Sequence, residues 1–186
     1  MEKWIEEGWL VHHDPAVHGQ PAAVLPLLAH VQEHKETTPV RPCLYYRCLN
    51  DCLSSQPGFD MPAYGETLRK CRQVREPEAF KLLDIKKAYP RVHVAADLLR
   101  YQTVVWKGDV YVMTQMGFGL SIAPKFMNII VQWATRDLPL VENYVDDVLS
   151  PSDHSDRTAS CLLDYDLPTK PAESLAMARA LGLQLQ

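Results

Sequence analysis

Asp146 and Asp147 stand side by side inside an otherwise apolar segment, Tyr144-Val145-Asp146-Asp147-Val148-Leu149, and that placement is electrostatically costly. Two carboxylates a few ångströms apart repel, and partial burial raises the pKa of each. A cation at that spot would relieve both effects. A third carboxylate, Asp84, ends the apolar run AFKLLD, as happens when a buried strand delivers an acid to its tip. Hard oxygen ligands with few protein contributors suit Mg²⁺, which keeps waters and takes its remaining ligands from phosphates. Two such ions bridged by carboxylates stabilise both the attacking and the leaving oxygen of a phosphoryl transfer. Because side chains alternate along a strand, Asp146 and Asp147 face opposite ways unless a bend redirects one, so one principal ligand and one helper is the expected division. An isolated Asp-Asp pair is an ordinary turn element, and the reading depends on Asp84 converging with it.

The elements that must position these acids follow from the hydrophobic pattern. LVENYVDDVLS is two short apolar runs around the acidic pair, a tight hairpin with both aspartates at its bend. YQTVVW and VYVMTQM form a second hairpin across Lys-Gly-Asp, with Gly108 free to take positive φ. APKFMNIIVQWATRDL has helical spacing with Pro124 in its first turn, and its apolar stripe should pack on the sheet. Earlier, Pro15, Pro21 and Pro26 forbid one long helix. LPLLAHV suits a short buried strand or turn, VRPCLYY is rich in strand formers, and AYGETLRKCRQV is helically spaced. Strand pairs alternating with helices argue for an α+β fold, with helices on one face of a largely antiparallel sheet.

Composition narrows the partners. The chain has 186 residues, 47% apolar and 23% charged, an ordinary globular balance. No apolar run reaches the roughly 20 residues that span a bilayer, and MEKWIEEGWL lacks the pattern of a secretory leader, so an intracellular, cytoplasmic protein without membrane association is expected. The five cysteines are odd in number and contain no CxxC pair, and they read as reduced, small apolar residues. Cys48 and Cys52 have no second ligand pair at a zinc-binding distance. A net charge of -4 excludes a surface that is basic all over, but between residues 69 and 107 ten basic residues face four acids, five with Asp109.

Four blocks then occur in a telling order. Tyr-Val-Asp-Asp at 144–147, LLDIKKAYPRV at 82–92, MGFGLSIAPKF at 116–126 and VRPCLYYRCLN at 40–50 resemble, respectively, the catalytic hairpin, the first catalytic block, the template- and nucleotide-positioning block and the fingers strand of the reverse transcriptases of long-terminal-repeat retrotransposons and retroviruses. LPTKPAE at 167–173 and LGLQL at 181–185 resemble that family's closing palm blocks. The resemblance implies a polymerase palm with a fingers subdomain: a fingers-like region at 1–80 and a palm at 81–186, with fingers elements inserted around 91–116. It implies template-directed DNA synthesis, adding deoxynucleotides to a primer 3'-hydroxyl on an RNA or DNA template, with two Mg²⁺ ions or Mn²⁺ in their place.

Residue by residue, the resemblance makes Asp84 and Asp146 the principal metal ligands, Asp147 the supporting carboxylate, and Ile85 a backbone-carbonyl ligand. Tyr89 falls at the steric gate whose ring excludes a ribose 2'-hydroxyl. Arg41, with its planar guanidinium, falls where the fingers contact the nucleotide phosphates, and Lys35 is a companion phosphate-binding candidate. Phe118 and Gly119 line the nucleotide pocket, and Lys170 matches a late palm lysine that acts as general acid. Tyr45 stands where an aspartate is usual, and Asp166 where glycine is common. The chain ends at LGLQLQ, where the family's thumb begins, so a thumb and an RNase H domain are expected partners outside it. Two alternatives follow: a repurposed retroelement palm that acts in binding or structure, and an RNA-dependent RNA polymerase, which would want a small or polar residue in place of Tyr89.

Overall fold

The computed structural model describes residues 1–31, 40–53, 79–175, 179–180 and 183–184. Its strands are β1 (Leu10–His12), β2 (Leu27–Val31), β3 (Val40–Leu44), β4 (Phe80–Asp84), β5 (Thr103–Trp106), β6 (Asp109–Met113), β7 (Glu142–Tyr144), β8 (Asp147–Pro151), β9 (Glu173–Ser174), β10 (Arg179–Ala180) and β11 (Leu183–Gln184). Every pairing between these strands is antiparallel. The chain divides into two compact units, one drawn from the spans 1–55 and 89–123, the other from 56–88 and 124–186.

In the first unit, β1, β6 and β5 form a three-stranded sheet and β2 pairs with β3. The expected β5–β6 hairpin forms, with Asp109 already in β6 and a two-residue connection: Lys107 and Gly108 both have positive φ, at 52° and 90°, the backbone that matches the twist of the strands it joins. The core gathers Leu10, Leu25, Leu44, Tyr46, Val104 and Met113. The expectation of burial for LPLLAHV holds at Leu25 and is corrected for the residues beyond it. The segment is a strand, but Leu28 and Val31 are 49% and 61% exposed. The hairpin is anchored at one end, where Leu44 enters the core opposite Leu27, and the far end carries no second layer among the described residues.

In the second unit the sheet order is β7-β8-β4-β9. Asn143 and Val148 are paired in register, and Ser150 lies two residues on, so all three share one face. Both long helices touch that face. Asn128 of the helix Ala123–Thr135 accepts a hydrogen bond from Asn143, and Thr158 of the helix Ser155–Asp164 is 2.7 Å from the Ser150 hydroxyl. Between them Leu83 and Val148 are fully buried, while Asp84, paired with Asp147, belongs to the opposite face. The antiparallel sheet with helices on one face is therefore realised. The segment AYGETLRKCRQV and Cys71 lie outside the described residues. The other described cysteines are free thiols, and Cys48 and Cys52 are exposed on the short helix Arg47–Cys52. Among the described residues no helix is long and apolar enough to cross a membrane.

Candidate active site

Register brings the acids together. Asp84, the last residue of β4, is paired with Asp147, the first residue of β8. Residues directly opposite in an antiparallel pair have Cβ atoms about 5 Å apart, and like charges there are destabilising. Asp146 sits in the turn just before, and its carbonyl accepts from the Ile85 amide at 3.0 Å, which ties the turn to the end of β4. The preceding turn residue, Val145, is buried and has a φ of 58°. A β-branched residue in the left-handed region is a strained choice, of order 1–3 kcal/mol.

On its other side β4 is flanked by residues 168–170. Ile85 is bridged to Thr169, the Lys86 amide donates to the Pro168 carbonyl, and the Lys170 amide donates to the Asp84 carbonyl at 2.8 Å. The Lys170 ammonium then donates to Asp84 Oδ2 at 2.7 Å, and this hydrogen bond, aided by the nearby negative charges, holds its pKa above the usual lysine range. Asp146 is exposed as a residue, yet partial burial of its carboxyl group pushes its pKa up. A hydrogen bond from its own backbone pulls it down, Asp84 pushes it up again, and Lys170 opposes Asp84. Asp84, Ile85, Asp146, Asp147 and Lys170 are thus brought together in one unit.

The donor chemistry, oxygen atoms of acids set against one another, fits a hard divalent cation. As the side chains stand, however, no group of three or more His, Cys, Asp or Glu among the described residues is arranged to hold a metal ion. The positive charge beside Asp84 is a lysine.

The other candidate residues meet in the first unit. Arg41 lies over the Phe118 ring at 5.5 Å, and Phe118 meets Tyr89 edge-to-face at 5.2 Å. Gly119 follows with a φ of 98°, a conformation that favours glycine. Lys35 lies outside the described residues.

Sequence reasoning left the support of this cluster unassigned. Asn50, the last residue of the VRPCLYYRCLN block, donates to the Gly119 carbonyl at 2.9 Å and accepts from the Ser121 amide at 2.8 Å. Tyr46 is buried beneath the loop, donates to Gln102 at 2.8 Å, and has its pKa pushed up by burial. A side chain at Gly117 would overlap its ring. The two departures from the family pattern also find physical places. Asp166 has a φ of 57°, which explains a preference for glycine and is tolerated by aspartate. Tyr45 lies near the Arg47 guanidinium and helps hold the pKa of that group up.

The sequence pattern of the reverse transcriptase (RNA-dependent DNA polymerase) family matches residues 33–183. The chain belongs to that family. Solved structures agree on the fold of this reverse transcriptase chain. The native protease-reverse transcriptase of prototype foamy virus superposes with a TM-score of 0.73 at 17% identity, over 93% of this chain and 23% of its own. A selenomethionine-labelled mutant of the same viral protein gives 0.78 at 17% identity, over 99% and 24%. The foamy viral protein in complex with an RNA/DNA hybrid gives 0.77 at 17% identity, over 97% and 24%. The chain therefore spans about a quarter of the length of these structures. No curated protein matches it significantly. Reverse transcriptase domains use divalent metal ions, which accords with the carboxylate chemistry described above.

Proposed function

We propose that this chain carries the fingers and palm of an RNA-directed DNA polymerase that adds deoxynucleotides to a primer 3'-hydroxyl on an RNA or DNA template. The observation that carries the reading is the pairing of Asp84 with Asp147 on adjacent strands, with Asp146 in the turn between β7 and β8, inside the span that matches the family. Asp84, Asp146 and Asp147, with the Ile85 carbonyl, would hold two Mg²⁺ ions, or Mn²⁺ in their place, which polarise the reacting phosphate when bound.

The chain's own residues do the rest. The unit drawn from 56–88 and 124–186 serves as palm and holds the carboxylates. The unit drawn from 1–55 and 89–123 serves as fingers. There Tyr89, braced by Phe118, excludes a 2'-hydroxyl, and Arg41 leaves the Phe118 face to meet phosphate. The Gly119 backbone, held by Asn50, shapes the nucleotide pocket. Lys170, kept protonated by Asp84, has a proton to give to the leaving pyrophosphate as general acid. Structural relatives in complex with double-stranded DNA and with an RNA/DNA hybrid support a nucleic-acid substrate. A thumb and an RNase H domain are proposed partners in the whole protein.

Primer extension on an RNA template with deoxynucleotides and Mg²⁺ tests the reading. Incorporation is expected from the wild-type sequence and is expected to vanish in Asp146→Asn; extension that survives the substitution would discard the assigned site.

A further inference from the structure

Asp84 already has a cationic partner, and the backbone put it there. Residues 168–170 run beside the end of β4 through the Lys86–Pro168 and Lys170–Asp84 main-chain hydrogen bonds, both 2.8 Å, and the Ile85–Thr169 bridge. The ammonium therefore reaches Asp84 Oδ2 from a fixed starting point. Opposite stands Asp147, and Asp146 lies within the same electrostatic field, so the lysine offsets at Asp84 a repulsion that the opposed carboxylates create.

We infer that Lys170 is the resident counter-ion of the carboxylate site, a latch that a divalent ion must displace before it can draw on Asp84 Oδ2. The inference rests on the metal-binding reading of the site given above. An oxygen engaged by an ammonium at 2.7 Å is not free to ligate in that arrangement, and a doubly charged ion repels the lysine. The pair is half open to solvent, with side chains 53% and 38% exposed, so it is weak enough to exchange. The latch would keep the site from loading ions before substrate phosphates bring them, and would free the Lys170 ammonium at the moment of loading.

The experiment is Mn²⁺ binding to the whole chain without nucleotide or nucleic acid, followed by the electron paramagnetic resonance of the free ion. Lys170→Met should bind several-fold, up to about tenfold, more tightly than wild type, as expected when a weak exposed pair stops competing. Lys170→Arg should stay near wild type. Equal or weaker binding by Lys170→Met overturns the latch. Asp84→Asn and Asp147→Asn test the underlying site separately: if both bind Mn²⁺ as wild type does, the metal-site reading fails and the latch with it. Amine labelling mapped by mass spectrometry gives a second readout. Labelling of Lys170 should rise as Mn²⁺ saturates the wild-type chain and should already be high in Asp84→Asn; labelling that ignores the ion overturns the proposal.

Discussion

Gly117→Ala should damage the loop that carries Phe118 and Gly119 more than its single methyl suggests. A Cβ built at residue 117 falls 2.0 Å from the Tyr46 hydroxyl oxygen and 2.6 Å from two ring carbons, far inside ordinary contact. The ring cannot yield freely. Tyr46 is 2% exposed, and its hydroxyl donates to Gln102, itself 3% exposed. Either the loop moves outward, or the tyrosine moves and leaves a buried amide oxygen without its donor. Overpacking costs about 1–3 kcal/mol and a stranded buried acceptor about 1–3 more, so a loss of about 3 kcal/mol is expected. With a urea slope of about 1–3 kcal/mol/M, the unfolding midpoint should fall by roughly 1 M or more, read by tryptophan fluorescence. Tyr46→Phe removes the 2.0 Å contact but leaves both ring-carbon contacts, so it should rescue Gly117→Ala only in part. A midpoint shift worth less than about 0.5 kcal/mol would show slack under the loop and refute the account of why glycine stands at 117.

Three further outcomes are expected. Val145→Gly relieves a left-handed φ of 58° but removes a buried isopropyl group, and these opposing effects should leave a change of no more than about 1 kcal/mol, whereas Val148→Ala, in an ordinary and fully buried strand position, should cost about 2–3 kcal/mol in thermal unfolding. The raised pKa of Asp146 means that the folded chain holds a proton the unfolded chain has released, so stability falls as pH rises from the ordinary carboxylate range through the raised value. In metal-free buffer Asp146→Asn should therefore melt higher than wild type at neutral pH, and the gain should fade below the ordinary carboxylate range; a gain that persists in acid would contradict this origin. Tyr89→Ala should let ribonucleotides compete roughly 10- to 100-fold better in single-nucleotide extension, and unchanged discrimination would remove Tyr89 from the gate.

What could be read in advance was whatever depends on local pattern. AFKLLD carried its own strand signal, the Lys107-Gly108 turn its own backbone preference, and the helix Ala123–Thr135 its own period. The Tyr-Val-Asp-Asp hairpin fell where the alternation broke. Burial of β2 was misjudged because LPLLAHV is apolar whether or not a second layer covers it, and only tertiary packing decides that. The Asp84–Lys170 pair joins residues 86 positions apart in the chain. Nothing local announces such a pair, and the family pattern gave the lysine a chemical role without giving it a partner. Asn50 was visible only as the end of the 40–50 block, and its work as a clamp on Gly119 and Ser121 depends on a loop some 70 residues away.

The costs in this fold are not spread evenly. At the β7–β8 turn a β-branched residue takes a left-handed φ, the next residue is a carboxylate with a raised pKa, and the one after it faces another carboxylate across the ladder. Each breaks a local rule that the rest of the sheet keeps. If stability alone had shaped the turn, glycine or asparagine at 145 and an uncharged residue at 146 would serve better. A ligand that binds only when the acids are opposed and the turn is held removes the contradiction, because binding energy can offset strain that the empty fold must bear. A divalent cation is the ligand whose charge answers the two electrostatic costs together. Added Mg²⁺ should therefore stabilise wild type more than Asp84→Asn, and by thermal shift the difference should persist without nucleic acid. Equal shifts would leave the strained turn without a reason in binding.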